Sequence, residues 1–213
     1  MPGISIPTPV DNQPRRSANL VAVLVFHEWG HLRAMRRFGI PTKGMYLIPF
    51  VGGMAVGDRP QTRWQEVYIA MMGPVYGLGL SLACFLAYLL TESSFVGLLA
   101  SIGALVNVFN LLPVHPLDGG RVVKALVFSA RSRMAFWVFL AVSVACFVAC
   151  FGMGLPLLAF FVVIGAIDLM ASWNHRILDR MPVLDRYGIL FVGVWYLGTL
   201  AAFAGFAFLL APD

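Results

Sequence analysis

The sequence contains two histidines four residues apart, His27 and His31, and a glutamate, Glu28, directly after the first. On a helix, residues at this spacing lie on one face, about 6 Å apart, so that both imidazoles can bind one zinc ion. Glu28 points away from that ion and is placed to reach a water bound to it. Zinc lowers the pKa of such a water to about 7, and Glu28 can take the proton as hydroxide attacks a carbonyl carbon.

The composition places this HExxH motif in a membrane protein. Of the 213 residues, 60% are hydrophobic and only 12% are charged, whereas soluble domains have roughly 45–50% apolar and 25% charged residues. Such a chain cannot cover a water-facing surface, which excludes soluble enzymes, disordered chains, coiled coils and nucleic-acid-binding proteins despite the net charge of +5. The length allows one domain of about six spans of ~20 residues.

The apolar runs predict an all-α polytopic membrane protein with about six transmembrane helices. Gly39 and Pro41 end the first helix, and the Pro-rich, polar segment 1–17 before it is expected to be a flexible arm. We expect a catalytic membrane core over residues 18–125 and three further transmembrane helices over residues 126–213. The predicted spans are at about 18–38, 67–91, 96–113, 134–151, 155–173 and 188–210.

Two shorter apolar runs follow the first predicted helix. The runs Met45–Phe50 and Met54–Val56 contain β-branched and aromatic residues, and they lie on either side of the glycine pair Gly52–Gly53. Each run is far too short to cross a bilayer. They therefore predict a small membrane-associated β-hairpin.

A catalytic zinc needs a third protein ligand and one open position. The candidates at or near membrane depth are Asp118, Asp168, His115 and His175. Asp118 stands out because it lies in the segment 110–120, NLLPVHPLDGG, whose prolines and glycines must break a helix. Irregular backbone at membrane depth is tolerated only where it is buried in protein or lines a watery cavity. We expect Asp118 to reach the depth of the histidine pair.

The basic residues predict the orientation of the chain. Six spans place Arg15 and Arg16 on one side of the membrane and the other 13 of the 15 basic residues on the opposite side. Basic loops remain in the cytoplasm. We therefore expect a multi-pass protein of the cell (inner) membrane, with both termini outside and the site opening towards the cytoplasm.

The two motifs together, HExxH and NxxPxxPLDGG, resemble those of the site-2 protease family of intramembrane zinc metalloproteases over about residues 18–125. The resemblance implies that Asp118 is the third zinc ligand and that Asn110 holds the substrate or the oxyanion. Gly73-Pro74 and Gly77 match the GP segment that the family has on the intervening span. The predicted hairpin over Met45–Val56 matches the family's membrane-embedded hairpin.

The function implied by this resemblance is a zinc metalloendopeptidase that cleaves a peptide bond in transmembrane segments of membrane-protein substrates. One Zn²⁺ per chain would be held by His27, His31 and Asp118, with Glu28 and Asn110 as catalytic residues. Many bacterial members have a PDZ domain and others a CBS domain, and neither fits into this sequence. The bundle itself, or an adaptor or regulator protein, is then expected to select substrates.

Two other classes of function remain open from the sequence. A metal transporter could use the histidine pair as a transit site, but transporters usually show inverted repeats and polar residues on several spans. The predicted fourth and sixth spans contain no ionisable residue. A catalytically inactive relative could act as a binding or assembly factor, which the intact Glu28 argues against.

Four polar residues have more than one interpretation. His115, between two prolines, either assists the metal or lines a water-filled approach, and His175 lies in a basic loop where solvation is expected. Asp168 has three possible roles: it contacts one of the metal ligands, it acts as a gate, or it is a structural charge that pairs with Arg176. Asn107, one turn before Asn110, is expected to hydrogen-bond between helices.

Overall fold

The computed structural model describes residues 13–48, 52–114, 117–130, 133–152, 154, 156–174 and 181–209. Within these ranges the chain forms seven helices and one pair of strands. In chain order they are α1 (Gln13–Arg37), β1 (Thr42–Ile48), β2 (Gly52–Gly57), α2 (Arg63–Thr91), α3 (Ser94–Asn110), α4 (Asp118–Ala130), α5 (Arg133–Gly152), α6 (Pro156–Asn174) and α7 (Arg186–Leu209).

Helix α1 begins earlier than the sequence predicts. It starts at Gln13 rather than near residue 18, with Pro14 in its first turn, where the fixed φ of proline suits a helix and its missing N–H has no partner to lose. The last residues of the predicted flexible arm are thus helical, and residues 1–12 lie outside the described ranges. The predicted end is confirmed, because Gly39 has a φ of +66° and its N–H donates to the Arg36 carbonyl over 3.0 Å.

The segment after α1 forms a two-stranded antiparallel sheet. Thr42 of β1 pairs with Gly57 of β2, and Ile48 pairs with Gly52 at the other end. The strands extend beyond the predicted apolar runs on the side nearer to α1, while residues 49–51 lie outside the described ranges. The location of this sheet relative to a membrane stays a prediction.

The predicted third span is interrupted. Helix α3 ends at Asn110 and α4 begins at Asp118, as the prolines of this segment require, whereas Gly119 and Gly120, which were also expected to break the helix, lie inside α4. No helix was predicted over α4, because its 13 residues are too few to cross a bilayer. Its end lies beside the start of α2, with the Arg63 guanidinium carbon 5.0 Å from the centre of the Phe128 ring.

Helices α1 and α3 run in the same direction and α2 runs in the opposite one, as the contacts at their ends show. The Asn19 amide of α1 donates to the Phe95 carbonyl at the start of α3 over 3.4 Å. At the other end of the bundle, Arg37 donates to the hydroxyl of Tyr68 near the start of α2 over 3.1 Å. Helix α4 runs in the same direction as α3, because its first residue, Asp118, lies beside His27 and its end lies beside Arg63.

Helices α1 and α2 approach each other closely at a glycine. A Cβ on Gly30 would lie 2.9 Å from the Met72 carbonyl carbon and 3.2 Å from the Cα of Gly73. Only glycine fits such a contact between two backbones. This approach brings the HExxH motif of α1 directly against the middle of α2.

The remaining helices differ in how they join this core. Helix α7 packs on α2, α3 and α4, where Val192 and Phe203 are fully buried. Helices α5 and α6 pack on each other and contact the rest mainly through α4. There Lys124 of α4 forms an ion pair with Asp168 of α6, so Lys124 is one partner of Asp168; Arg176 lies outside the described residues.

Two of the described helices are long and apolar enough to cross a membrane. They are Arg63–Thr91 and Arg186–Phe206. Length and composition alone are weak evidence, because a buried core helix passes the same test. The chain is thus mostly helical with two candidate spans, and the expected count of six stays a prediction.

Candidate metal centre

Three potential ligand atoms from two distant parts of the chain meet at one point. Oδ2 of Asp118 lies 3.1 Å from Nε2 of His27 and 3.2 Å from Nε2 of His31. The two Nε2 atoms are 3.1 Å apart. All three residues are buried, with 7% or less of each exposed. Asp118 and His27 are 91 positions apart in the sequence, so this triangle exists only because tertiary packing brings the start of α4 to the histidines of α1.

The Asn107 side chain decides which nitrogen of His27 faces the triangle. Nδ2 of Asn107 donates to the Gly103 carbonyl over 2.7 Å, which leaves Oδ1 to face Nδ1 of His27 at 2.8 Å. Since Oδ1 can only accept, Nδ1 must bear the proton. The lone pair of His27 therefore lies on Nε2 and points at Asp118.

A backbone carbonyl has the same effect on His31. Nδ1 of His31 lies 2.7 Å from the carbonyl oxygen of Ile69 in α2. A carbonyl oxygen accepts only, so this nitrogen is also the protonated one. A hydrogen bond on the far nitrogen is the usual way in which proteins hold a metal-binding imidazole in one orientation.

This arrangement fits a zinc ion. Two nitrogen lone pairs and a carboxylate oxygen face one another, and three such acceptors repel each other unless a cation lies between them. Around a tetrahedral zinc with bonds of about 2.0 Å, neighbouring ligand atoms are about 3.3 Å apart. The observed separations of 3.1–3.2 Å are close to that value.

Glu28 lies beside the triangle and is also buried, at 5% exposure. A carboxylate oxygen of Glu28 and one nitrogen from each of His27 and His31 all lie within 4.8 Å of one another. Glu28 is thus near enough to reach a ligand in the fourth position of a metal held by the triangle. This position suits a general base.

Space for the imidazoles comes from a glycine of α2. A Cβ on Gly73 would lie 2.7 Å from Nε2 of His27 and would also overlap the ring of His31. One turn further along α2, a Cβ on Gly77 would overlap the Asn107 amide. Both glycines of the predicted GP segment thus lie directly on the site, whereas Gly79 has nothing within 4 Å of its Cβ position.

Asp118 has two further features that favour its ionised form. It is the first residue of α4, where the N-terminal end of the helix dipole attracts a negative charge. Its second oxygen, Oδ1, lies 3.7 Å from Nη1 of Arg121. One carboxylate oxygen is therefore left to face the histidines.

A family model for peptidase family M50 matches residues 17–93 and 89–153, together more than half of the chain. The chain belongs to peptidase family M50. The matched residues include all of α1 to α4 after the first turn of α1, and they contain both sequence motifs. The predicted resemblance is confirmed.

Similar proteins agree with membership of family M50. Rip3 of Mycobacterium tuberculosis, which is named as a zinc metalloprotease, is 38% identical over 114 residues, covering 50% of this chain and 29% of Rip3. Stage IV sporulation protein FB of Bacillus subtilis is 31% identical over 128 residues, covering 54% of this chain and 43% of that protein. The chain thus matches less than half the length of these relatives.

A solved structure has a similar fold. The site-2 protease from Methanocaldococcus jannaschii has a TM-score of 0.52 and 21% identity, and the match covers 71% of this chain and 75% of that one. At this identity the likeness concerns the fold alone. It extends beyond the residues matched by the M50 family model.

The other residues singled out from the sequence do not belong to this triangle of ligand atoms as far as the described residues show. Asn110 is half-buried at the end of α3, and its side chain makes no hydrogen bond with the described residues. Asp168 is on α6 and pairs with Lys124 of α4, and it is not among the ligand atoms that meet at His27 and His31. His115 and His175 lie outside the described residues.

Sequence reasoning missed two groups that contact the histidines. Asn107 was expected to bond between helices, and it does, but its partner is the imidazole of His27. The signal that could have shown this is a second asparagine in an apolar span that also contains Asn110. The Ile69 carbonyl left no signal, because any residue has one.

Proposed function

We propose that this member of family M50 is a zinc-dependent endopeptidase that cleaves peptide bonds within membrane-spanning segments. The observation that supports it most is the meeting of two imidazole Nε2 atoms and the Asp118 carboxylate, with Glu28 buried beside them. The names of the similar proteins support the same chemistry. The substrate would be a membrane protein.

In the proposed reaction His27, His31 and Asp118 hold one zinc, which when bound polarises a water and the scissile carbonyl. Glu28 takes a proton from the attacking water as the new carbon–oxygen bond forms. It then gives this proton to the amide nitrogen as the carbon–nitrogen bond breaks. Asn107 keeps Nε2 of His27 directed at the site throughout.

Asn110 is proposed to donate a hydrogen bond to the carbonyl oxygen as negative charge develops on it. Its position in the NxxPxxPLDGG motif and its partial exposure at the end of α3 support this role. The amide makes no hydrogen bond with the described residues and can therefore turn towards a substrate. Such donors contribute about 10²–10³ in rate.

The site is proposed to lie in the cytoplasmic half of the bilayer. Gly73, which touches both imidazoles, is ten residues from Arg63 at one end of α2 and eighteen from Thr91 at the other. At 1.5 Å per residue these are about 15 Å and 27 Å. Aromatic rings gather at the Arg63 end, where Trp64 and Tyr68 pack on Trp195, as is typical of a membrane interface.

The orientation and the route of water follow from this placement. We propose that the Arg63 end faces the cytoplasm, because the basic residues lie on that side. Both termini would then be outside. Water would reach the site through the broken segment 111–117, and cleavage would release a fragment inward.

The paired strands are proposed to hold the substrate. A transmembrane helix must unwind before one of its carbonyls can be attacked. In the described residues, β1 pairs with β2 alone, so each strand keeps one edge whose N–H and C=O groups can bond an unwound segment. An adaptor protein remains part of the proposal as a means of substrate selection.

The deciding experiment compares the native protein with a Glu28→Gln variant. Both are reconstituted in lipid vesicles with a single-span reporter protein, and zinc content and reporter fragments are measured by mass spectrometry. We expect both proteins to bind zinc and only the native one to produce fragments. Fragments at the native rate from the variant would refute peptidase chemistry at this site, and zinc transport into vesicles by both would favour a transporter.

A further inference from the structure

Helix α7 follows the residues matched by the M50 family model, which end at 153, yet it contacts the backbone near the metal centre. The hydroxyl of Tyr196 in α7 donates to the Leu111 carbonyl over 2.6 Å. The two residues are 85 positions apart in the sequence. Tyr196 is 7% exposed and Leu111 is fully buried, so water cannot replace this bond.

Leu111 directly follows the last residue of α3. The last carbonyls of a helix have no donor within the helix, and a buried carbonyl without a donor is costly. Leu111 belongs to the interruption between α3 and α4, where the prolines remove further backbone donors. Among the described residues, the donor to the Leu111 carbonyl is the Tyr196 hydroxyl.

The same carbonyl lies under the first turn of α4. A Cβ on Gly119 would overlap the carbonyl group of Leu111, and it would lie 2.5 Å from that of Leu112. Gly119 thus packs directly against the end of α3. Its neighbour Asp118 provides the oxygen that lies 3.1 Å from Nε2 of His27.

Helix α7 is itself held firmly against α2 and α4. Before it begins, the N–H of Leu184 donates to the hydroxyl of Ser129 near the end of α4 over 3.1 Å. The N–H of Arg63 donates to the Pro182 carbonyl over 3.2 Å. Helix α4 is thereby connected to the α7 segment near both of its ends, through Ser129 and through the Leu111 carbonyl.

We propose that Tyr196 is a positioning residue of the metal centre, and that α7 is part of the catalytic unit of this protein. Its hydroxyl holds the Leu111 carbonyl, this carbonyl supports Gly119, and Asp118 is thereby kept at ligand distance from the two histidines. The proposal rests on the proposed zinc site and adds to it a residue outside the part matched by the family model.

The first test measures zinc affinity of the purified full chain in detergent by competition with a chelator. Tyr196→Phe removes only the hydroxyl and keeps the packing of the ring. We expect a loss of about tenfold or more, as is usual for contacts that orient metal ligands. Tyr187→Phe makes the same change on the same helix at a residue that is 83% exposed, and it should bind zinc as the native protein does.

A second control separates positioning from general stability. Phe203→Leu shortens a fully buried side chain of α7, so it should lower the temperature of thermal unfolding without changing the zinc affinity of the folded protein. The decisive comparison uses Asp118→Ala as a background. Since Tyr196 acts through Asp118, adding Tyr196→Phe to Asp118→Ala should cause no further loss of the residual zinc affinity.

Each outcome is informative. Native zinc affinity in Tyr196→Phe would overturn the inference but leave the proposed function intact, whereas a native protein that binds no zinc would refute the proposed function itself. A further loss in the Asp118→Ala background would show that Tyr196 acts by another route. Failure of Tyr196→Phe to fold while Phe203→Leu folds would make the hydroxyl a folding requirement and would also overturn the inference.

Discussion

The amide oxygen of Asn107 lies 2.8 Å from Nδ1 of His27, across 80 positions of sequence. The other end of the same amide donates to the Gly103 carbonyl, so its orientation is determined by the structure. This contact makes Nε2 the free nitrogen of His27 and directs it at Asp118. A buried asparagine of α3 thus controls the histidine at the start of the HExxH motif.

Replacing Asn107 with leucine should weaken zinc binding. The variant keeps a similar volume but loses the acceptor for Nδ1, so the ring of His27 is free to turn and to change its tautomer. We expect a loss of about 10–100-fold in zinc affinity, measured by competition with a chelator. An unchanged affinity would show that the His27 orientation is maintained without Asn107.

Replacing Asn110 should lower turnover without weakening zinc binding. Its side chain is not among the hydrogen-bond partners of His27 and His31, so Asn110→Ala should bind zinc with native affinity. If it stabilises the oxyanion, turnover of a reporter substrate should fall by about 10²–10³. Cleavage at the native rate would leave Asn110 as a contact between helices, and loss of zinc would place it at the metal instead.

Asp118→Ala should lose zinc or bind it far more weakly. The change removes one of three ligand atoms and leaves two neutral imidazoles. Asp168→Asn is the matched control, because it changes a carboxylate that pairs with Lys124 and is not one of the three ligand groups. Zinc content is measured by elemental analysis of the purified proteins. Full occupancy in Asp118→Ala would eliminate this residue as the third ligand.

Two glycines of α2 provide a matched pair of substitutions. Gly73→Ala places a methyl group against both imidazoles, which should displace them, reduce zinc affinity and destabilise the fold by about 1–3 kcal/mol. Gly79→Ala meets nothing within 4 Å, and alanine in place of a helical glycine should stabilise by about 0.5–1 kcal/mol. Thermal unfolding and chelator competition measure the two effects; if Gly73 were only a packing residue, Gly73→Ala would unfold at a lower temperature but bind zinc with native affinity.

The orientation of the chain predicts which side of the membrane single cysteines face. In a background without Cys84, Cys146 and Cys150, Arg59→Cys should react with a membrane-impermeant thiol reagent added from the cytoplasmic side. Thr91→Cys, at the other end of α2, should react from the outside. Both native residues are exposed, so burial will not hide the new thiols. The reverse pattern would invert the proposed orientation.

Local rules were sufficient for several features. The spacing of His27 and His31 places them on one helix face whatever the rest of the protein does, because the helix has 3.6 residues per turn. The end of α1 at Gly39 and the interruption before Asp118 were also predictable, since glycine and proline act on the backbone at their own positions. Composition indicated a membrane protein, and the two motifs indicated the family.

Other features depended on how helices pack. Among Asp118, Asp168, His115 and His175 the sequence favoured Asp118 as the third ligand. The structure brings Asp118 to the histidines, while Asp168 pairs with Lys124. The structure also contains α4, a helix that is too short and too amphipathic to be predicted as a membrane span. Which residue faces the site depends on how α1, α2 and α4 pack together. The hydrophobic periodicity of each segment does not determine this packing.

The contacts of Asn107 with His27 and of Tyr196 with Leu111 belong wholly to the tertiary structure. Each joins residues at least 80 positions apart, so the sequence between the two residues does not reveal that they are close in space. What sets these distances is the close packing of helices at small residues such as Gly73 and Gly119. The sequence by itself determined which atoms could bind a metal, and only the packed bundle decided which of them meet and which groups orient them.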